Sequence, residues 1–406
     1  MSNENKRYAA LEITSKCVRL VYGFVQDEKV YVLHALESSC NALEKGAVVE
    51  SDALIAAIKG VVSSASESLG GIKIRDVVMA IPSLSLDWKL ENASTNTIDP
   101  LGKIGQMDIN NCISQLKKVK FQEGYKVYDV IPYKYVLDGK ENSSESPLGK
   151  TAQNLTMYAT VYALNEAYVD KFVKVVEQTG LKVKQVTTAP LATSIYLENV
   201  DDIQSLSKTY YLLNIGGDIT TFSKIEDRSI ITKNQCIGFG SDKISQYMSE
   251  KLNITFKEAT MLKEKYGMDK EPGFKVYVHN NITFSDIDLA IKECLKLLIE
   301  KIKQVITNWK ESDNKFIPIV LTGGGSRLNG LKELLESELG GNIISYVPYS
   351  FGARNQSYQV CLGLIKYADR YVTFDGDDSF TNTIISRVSD PSTNKKSERY
   401  DAQEEL

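Results

Sequence analysis

The stretch Ile319-Val320-Leu321-Thr322-Gly323-Gly324-Gly325-Ser326 decides the fold prediction. Its first residues are apolar or β-branched, as in a buried strand, and three glycines and a serine follow at once. Glycine lets a flat ligand approach the backbone closely, and the start of a helix beyond the turn favours phosphate. The stretch predicts a strand that ends in a ligand-contacting turn, although a glycine turn alone is more often only a turn.

Two other strand ends carry the same signal. Leu213-Asn214-Ile215 runs into Gly216 and Gly217, whose amides are suited to cradle a phosphate. Near the N-terminus, Leu11-Glu12-Ile13 is followed by two hydroxyls and a cation, Thr14, Ser15 and Lys16. Each junction is weak alone, but the three together predict a nucleotide held in a cleft between two lobes.

The order of predicted elements divides the chain into two similar halves. The first half begins with strands at 8–13, 18–25 and 29–36, a helix capped by Ser51 or Asp52, and a strand at 76–81. The second half has strands at 210–215, 220–225 and 229–235, helices at 242–252, 256–266 and 285–309, and a strand at 316–322. This order is typical of an α/β, actin-like (ribonuclease H-like) fold of two lobes.

A different unit interrupts the first half. It has a helix that begins at Met107-Asp108 and strands at 126–132 and 154–163, and a helix at 165–179 follows it. We therefore assign residues 1–82 and 164–207 to the first lobe and 83–163 to an inserted subdomain. The second lobe comprises a core at 208–245 and 305–372 and a subdomain at 246–304, and residues 373–406 form a flexible acidic tail.

Composition excludes several classes of protein. The 406 residues are 43% hydrophobic and 25% charged, and no apolar run is long enough to span a bilayer. The N-terminus lacks the apolar core and cleavage site of a secretory signal. The 6 cysteines are scattered and only 2 histidines are present, which disfavours metal clusters and favours a cytoplasmic location. No basic stripe with interleaved aromatic residues appears, so we expect no nucleic-acid partner.

Over residues 7–371 the chain resembles FtsA, the family of bacterial actin-like cell-division proteins. Leu11-Glu12-Ile13 is similar to the start of the family's first phosphate motif, the Gly216-Gly217 turn to its second, and Thr322-Gly323-Gly324 to its adenosine motif. The remaining matches fall in family order: Glu44-Lys45-Gly46, Val130-Ile131-Pro132, Asp138-Gly139, Ser146-Pro147-Leu148-Gly149, Pro190-Leu191-Ala192, and Lys263 with Tyr266-Gly267. The resemblance also identifies 83–163 as the family's characteristic inserted subdomain.

The resemblance implies a cell-division scaffold that forms nucleotide-linked filaments, binds FtsZ and links it to the membrane. It implies ATP with Mg²⁺ as ligand, an FtsZ-tail site on 246–304, and a peripheral position at the inner face of the cell membrane at the division site. The implied metal or water positions are Glu12 and Asn214. The implied nucleotide contacts are Thr14, Ser15, Lys16, Gly216, Gly217, Lys263, Gly323, Gly324, Gly325 and Ser326.

The chain departs from the family pattern where the chemistry lies. Thr14 and Cys17 replace a glycine and a lysine, with Lys16 one place early, and a side chain at Thr14 is expected to crowd the phosphate. Asn214 replaces an aspartate that helps to hold hydrated magnesium. Asp218 is expected to repel the phosphates by about 4 kcal/mol at roughly 4 Å and an effective dielectric constant near 20. Thr260 stands where a glutamate is expected near the ribose.

Two readings of the site therefore remain open: weak ATP binding with at most slow hydrolysis, or a scaffold that has lost its nucleotide. Two other functions also remain, a catalytic ATPase or kinase of the same superfamily and a pilus-assembly-type adaptor. Reverting Asn214→Asp is expected to tighten binding of the magnesium nucleotide if this position weakens it.

Two further features bear on partners. Cys294 stands on the long helix where the resemblance suggests an arginine in the FtsZ-binding subdomain. The tail from Thr373 carries eight acids and four bases, which equals the whole net charge of −4 and disfavours an anionic membrane. The family resemblance implies a basic amphipathic helix here as a membrane anchor, and the tail offers only a short apolar face in its place. The competing interpretation is a linker that docks on the body of the protein or on a partner. That face consists of Phe380, Ile384, Ile385 and Val388.

Overall fold

The computed structural model describes residues 6–143, 146–198, 200, 208–227, 230–268, 277–279, 281–309 and 317–372. The chain opens with a meander of β1 (Arg7–Ile13), β2 (Cys17–Gln26) and β3 (Lys29–Ser39). Asp27 and Glu28 have φ angles of 49° and 61°, the left-handed conformation of a two-residue hairpin turn. The short strands β4 (Leu43–Glu44) and β5 (Ala47–Val48), helix α1 (Ser51–Ser68) and strand β6 (Asp76–Ile81) follow.

The predicted caps of α1 are wrong. The helix begins at Ser51 and Glu50 precedes it, so Ser51 and Asp52 both lie inside the first turn. Asp52 still suits this place, because an acid in the first turn interacts favourably with the helix dipole.

The inserted subdomain is an antiparallel sheet with one helix on its face. Its elements are β7 (Asp87–Asn96), α2 (Gln106–Leu116), β8 (Tyr125–Leu137), β9 (Glu141–Ser143) and β10 (Asn154–Asn165), and the strand order is β7-β10-β8-β9. Cys112 and Leu116 of α2 are buried against the sheet. Pro132 does not end β8 as predicted, because a β-bulge between the pairs Pro132–Ala159 and Lys134–Tyr158 lets the strand continue.

The chain then returns to the first lobe through α3 (Glu166–Glu177), β11 (Lys182–Thr188) and α4 (Ala189–Leu197). The first-lobe sheet has the order β11-β6-β1-β2-β3, with β1 parallel to β6 and antiparallel to β2. Helices α1 and α3 bury their apolar faces on one side of this sheet, where Leu54 and Phe172 are fully buried. Helix α4 lies on the other side.

The second lobe repeats the opening order of the first. Strands β12 (Tyr210–Ile215), β13 (Thr220–Glu226) and β14 (Ile230–Ile237) lead to α5 (Ser241–Leu252), α6 (Phe256–Tyr266), β15 (Tyr277–His279), β16 (Ile282–Thr283) and α7 (Phe284–Asn308). Strand β17 (Ile319–Thr322), helix α8 (Leu331–Leu339) and strand β18 (Ile343–Ser345) complete a sheet of order β14-β13-β12-β17-β18. The predicted strand start at 316 lies outside the described residues.

Helix α9 (Gln359–Tyr371) crosses back to the first lobe. It packs on α4 so closely that a Cβ atom on Gly363 would lie 1.8 Å from the carbonyl oxygen of Ala192. Cys361, Leu364 and Ile365 of α9 are fully buried in a core shared with β1, β6 and β12. The helix therefore joins the two lobes into one core on the side opposite α1 and α3.

Candidate functional site

The two glycine turns of the second lobe lie side by side. Strand β12 runs parallel to β17 with Asn214 opposite Thr322, so their carboxyl ends meet at one edge of the sheet. Gly323 has a φ of 82°, and a Cβ atom there would lie 2.4 Å from Asn214 Oδ1 and 2.6 Å from the Ile215 carbonyl oxygen. Only glycine fits such a close approach at a positive φ.

The turn of Gly323, Gly324, Gly325 and Ser326, named the adenosine turn after its predicted ligand, is held by contacts with the protein interior. A Cβ atom on Gly325 would lie 2.4 Å from the Ile215 side chain, whereas one on Gly324 would meet no described atom within 4 Å. The buried hydroxyl of Ser326 lies 2.7 Å from the Gly323 carbonyl oxygen and 2.9 Å from Gln356 Oε1. Gln356, which the sequence analysis did not single out, thus ties this turn to the start of α9, and Gly324 is its open face.

The two predicted phosphate turns are Thr14–Lys16 in the first lobe and Gly216–Gly217 in the second. The first of them is closed by its own hydrogen bonds. Thr14 Oγ1 accepts hydrogen bonds from the Lys16 and Cys17 amides, at 3.2 and 3.1 Å, and lies 2.9 Å from the Cys17 carbonyl oxygen. The Thr14 hydroxyl therefore closes its own turn. Threonine stabilises this turn by hydrogen bonds from its short side chain, whereas glycine would allow a turn through its greater backbone freedom.

The turns of the two lobes touch each other. A Cβ atom on Gly217 would lie 2.5 Å from Lys16 Cγ and 3.1 Å from Ser15 Oγ. The Lys16 ammonium forms an ion pair with Asp242, in the first turn of α5, and lies 6.0 Å from the ring centroid of Phe256. The structure thus brings Ser15, Lys16 and Gly217 together, with the lysine side chain between the two turns.

Asp218 does not point where the sequence analysis expected. Its carboxylate accepts a hydrogen bond from the backbone N–H of Lys45, in the turn between β4 and β5 of the first lobe. Lys45 and Gly46 have φ angles of 48° and 78°, which turn this amide toward the second lobe. The predicted phosphate-facing charge is therefore a second contact between the lobes.

Glu12 is already paired within the first lobe. Arg19 Nη1 lies 3.0 Å from Glu12 Oε2, and Arg19 Nε lies 2.5 Å from Glu37 Oε2. Burial raises the pKa of Glu12, and the Arg19 guanidinium opposes that rise. The hairpin register places Arg19 directly opposite Glu12, so the pattern of β1 and β2 contained this pair, but the sequence analysis missed it.

Lys263 is buried on α6, with its ammonium 2.9 Å from the carbonyl oxygen of Ser241 at the start of α5. Burial lowers its pKa, which Asp242 partly offsets. Thr260 Oγ1 donates to the Phe256 carbonyl oxygen, also along α6. An open depression of about 620 Å³ runs along this helix, lined by Phe256, Lys257, Thr260, Met261, Glu264 and Lys265.

The residues of the site fit the adenosine half of a magnesium nucleotide better than its phosphate half. On the adenosine side, Gly324 is open. On the phosphate side, Lys16 lies between the turns and Glu12 is paired with Arg19. Asn214 supplies an uncharged amide, and within the described residues no group of three His, Cys, Asp or Glu side chains is arranged to hold a metal. The residues present thus favour adenosine over magnesium triphosphate.

The remaining predicted positions are those assigned to contacts with FtsZ and with the membrane. Cys294 is fully buried, with its sulfur 3.6 Å from the Lys243 carbonyl oxygen, so its side chain does not reach a surface. Phe380, Ile384, Ile385 and Val388 lie outside the described residues. No helix in the described part of the chain is long and apolar enough to cross a membrane.

Two lobes of similar strand order, with the glycine turns of the second lobe next to the Ser15–Lys16 turn of the first, define a protein of the actin-like class. Solved structures share this fold: a chain of the PilM–PilN type IV pilus biogenesis complex (TM-score 0.60, 18% identity, 88% of this chain and 97% of that one) and MreB5 of Spiroplasma citri bound to ADP (TM-score 0.52, 12% identity, 90% and 96%). The inserted subdomain narrows the class further. The model of the SHS2 domain inserted in FtsA matches residues 89–163, and the model of the cell division protein FtsA matches 211–363.

Relatives agree with this assignment along most of the chain. FtsA of Bacillus subtilis (strain 168) is 22% identical over 390 residues, 92% of this chain and 86% of its own length. FtsA of Streptococcus pneumoniae serotype 2 is 24% identical over 373 residues, 89% of this chain and 80% of its own. The chain belongs to the FtsA family and is a divergent member of it.

Proposed function

We propose that this protein is a cell-division scaffold that assembles into actin-like filaments, binds the tail of FtsZ and links FtsZ to the membrane. The observation that carries the proposal is the inserted subdomain, which is hydrogen-bonded to the first lobe through Gln185 and to the second lobe through Ile231. Asp129 of β8 accepts a hydrogen bond from Tyr367 of α9, and Tyr162 of β10 accepts one from the Ile231 amide of the second lobe at 3.0 Å. A subdomain held in this way presents a fixed surface to a neighbouring copy.

The second-lobe subdomain offers a surface for the FtsZ tail. Its described residues expose several large apolar side chains, which an amphipathic peptide could contact. These are Phe256, Met261, Leu289 and Leu297, which are 41%, 47%, 51% and 46% exposed. The membrane link is proposed to run through residues 380–388 of the tail, which places the protein in the cytoplasm, peripheral to the inner face of the cell membrane at the division site.

Adenine nucleotide is proposed to bind weakly, mainly through its adenosine half. The relative MreB5 was solved with ADP, and the adenosine turn and Lys263 support a similar ligand here. Mg²⁺ gains little from the phosphate side. Asn214 has no carboxylate, and the Glu12 carboxylate is already paired with Arg19. Hydrolysis is therefore proposed to be slow at most, and no catalytic residue is assigned.

The filament proposal is tested by sedimentation and negative-stain imaging with and without ATP. Leu101, 83% exposed in the loop between β7 and α2 of the inserted subdomain, is the variant site, because Leu101→Glu adds charge there without disturbing a core. Assembly of the wild type and its loss in Leu101→Glu are expected. A strict monomer under every condition would contradict the proposal.

The FtsZ proposal is tested by pull-down with FtsZ and, in parallel, with a pilus-assembly component. Met261→Glu is expected to weaken FtsZ capture and to leave assembly intact, whereas Leu101→Glu is expected to do the reverse, so each variant controls the other. Capture of the pilus component in place of FtsZ would favour the adaptor function.

A further inference from the structure

The Lys16 side chain occupies the space between the two phosphate turns. Its Cγ and Cε atoms lie 2.5 and 2.9 Å from where a Cβ atom on Gly217 would stand, which is direct contact between the lobes. Its ammonium pairs with Asp242, whose amide in turn donates to the Gly217 carbonyl oxygen at 2.8 Å. The lysine comes from the first lobe and the aspartate from the second, so the ion pair crosses the cleft.

The same place is electrostatically suited to an anion. Asp242 lies in the first turn of α5, where the helix dipole favours negative charge, and the amides of Ser241 and Asp242 donate to the carbonyl oxygens of Gly216 and Gly217. In a nucleotide-bound cleft a phosphate would supply that negative charge and contact both lobes. Here the Asp242 carboxylate supplies it, and Lys16 neutralises it from across the cleft.

A second cross-lobe contact lies beside the first. The Asp218 carboxylate accepts the hydrogen bond of the Lys45 amide, and Ser83 of the first half lies 3.5 Å from Asn234 Oδ1 on β14. The Asp218–Lys45 contact joins the two lobes, and the Ser83–Asn234 contact joins the inserted subdomain to the second lobe.

We propose that the Lys16–Asp242 ion pair takes the place of nucleotide phosphates as the link that closes the two lobes. Closure of this cleft then requires no nucleotide. The protein is then an actin-like scaffold whose closed form is stabilised by its own side chains. The inference rests on the cleft geometry alone, and neither FtsZ binding nor filament formation is needed for it.

The Lys45 amide reports on closure, because its hydrogen-bond partner lies on the other lobe. Hydrogen exchange at this amide is measured in the nucleotide-free protein and again with saturating Mg-ATP. The wild type is expected to be protected in both conditions to the same extent. Lys16→Met, which keeps the aliphatic stem, and Asp242→Asn are each expected to raise exchange at Lys45 by about two- to fivefold, the size expected for a partly exposed ion pair.

Glu338→Gln is the matched control. It removes an ion pair of similar exposure, Lys303–Glu338 at 3.4 Å, that lies within the second lobe, and it is expected to leave exchange at Lys45 unchanged. Higher salt is expected to act like the cleft variants, because screening weakens exposed pairs.

Either of two results would overturn the proposal: a nucleotide-free wild type that is unprotected and gains protection with Mg-ATP, or unchanged exchange in both cleft variants. Sedimentation and FtsZ capture of the same variants separate a failed ion-pair link from a failed scaffold function.

Discussion

Asn214 shows how one residue can carry two consequences. Its neutral amide is a weaker partner for magnesium than an aspartate, and this much follows from the residue type. Its position against Gly323, 2.4 Å from where a Cβ would stand, follows only from the pairing of β12 with β17. The missing negative charge is therefore a property of the residue type, whereas the contact with Gly323 is a property of the strand pairing.

We predict that Asn214→Asp alone changes the affinity for Mg-ATP little, because Lys16 still lies between the turns. Combined with Lys16→Ala, it is expected to tighten binding by about tenfold, which corresponds to about 1.4 kcal/mol. Isothermal titration of the single and double variants measures this coupling. Titrations with EDTA in place of Mg²⁺ are the control, and equal affinities in the single and double variants would contradict the prediction.

At the scale of elements, the contact between α4 and α9 joins the lobes. Gly363 lies in the middle of α9, where glycine normally weakens a helix by about 1 kcal/mol relative to alanine. Here it permits the backbone of α4 to approach, and Ala192 is fully buried at the crossing. The sequence analysis assigned no bounds to α4 or α9; α4 is apolar around most of its surface and shows little amphipathic pattern, and all but its first residue are buried.

We predict that Gly363→Ala destabilises the protein by about 1–3 kcal/mol, because a methyl group would meet backbone that cannot move aside. Gly60→Ala is the matched control in α1. A Cβ atom there meets no described atom within 4 Å, so the substitution is expected to stabilise by about 0.5–1 kcal/mol. Urea unfolding of both variants measures the difference, and equal effects would show that the helix crossing is loosely packed.

At the scale of the whole molecule, buried polar contacts hold the inserted subdomain to the body. Asp129 of β8 receives hydrogen bonds from Tyr367 of α9 and from Gln185 of β11, the latter at 3.2 Å. Burial raises the pKa of Asp129 to about 6, and the hydrogen bonds from Tyr367 and Gln185 limit that rise. The junction of the subdomain with the first lobe and α9 therefore contains a titratable group.

The pKa of Asp129 predicts a pH dependence of stability with a definite sign. The folded pKa lies above the value of about 4 in the unfolded chain, so folding favours the protonated form. The stabilisation is fully present below about pH 4 and is lost as the pH rises toward 6. The free energy of unfolding of the wild type, relative to that of Asp129→Asn, is therefore expected to fall between pH 4 and 6 and to stay level above.

Unfolding of both proteins across this range measures the difference. Glu123→Gln changes an exposed carboxylate of the same subdomain and serves as the control. A difference between wild type and Asp129→Asn that does not vary with pH would contradict the prediction.

The sequence by itself determined the two halves, the inserted unit and the three turns, because strand patterns and glycines act locally. Strands such as β6 and helices such as α6 have the bounds that the sequence analysis assigned. It also determined which charges are missing relative to the family pattern, since Asn214 stands for an aspartate and Cys17 for a lysine in the chain itself. The opposite placement of Glu12 and Arg19 was present in the hairpin register.

Only the tertiary structure decided how the remaining charges are used. Lys16 and Asp242 are more than two hundred residues apart, and so are Glu12 and its neighbour Cys361; no local pattern relates them. Asp218 turned out to bind the Lys45 amide because the β4–β5 turn reaches the second lobe. Such pairings depend on where the two lobes meet, and that is a property of packing between distant elements.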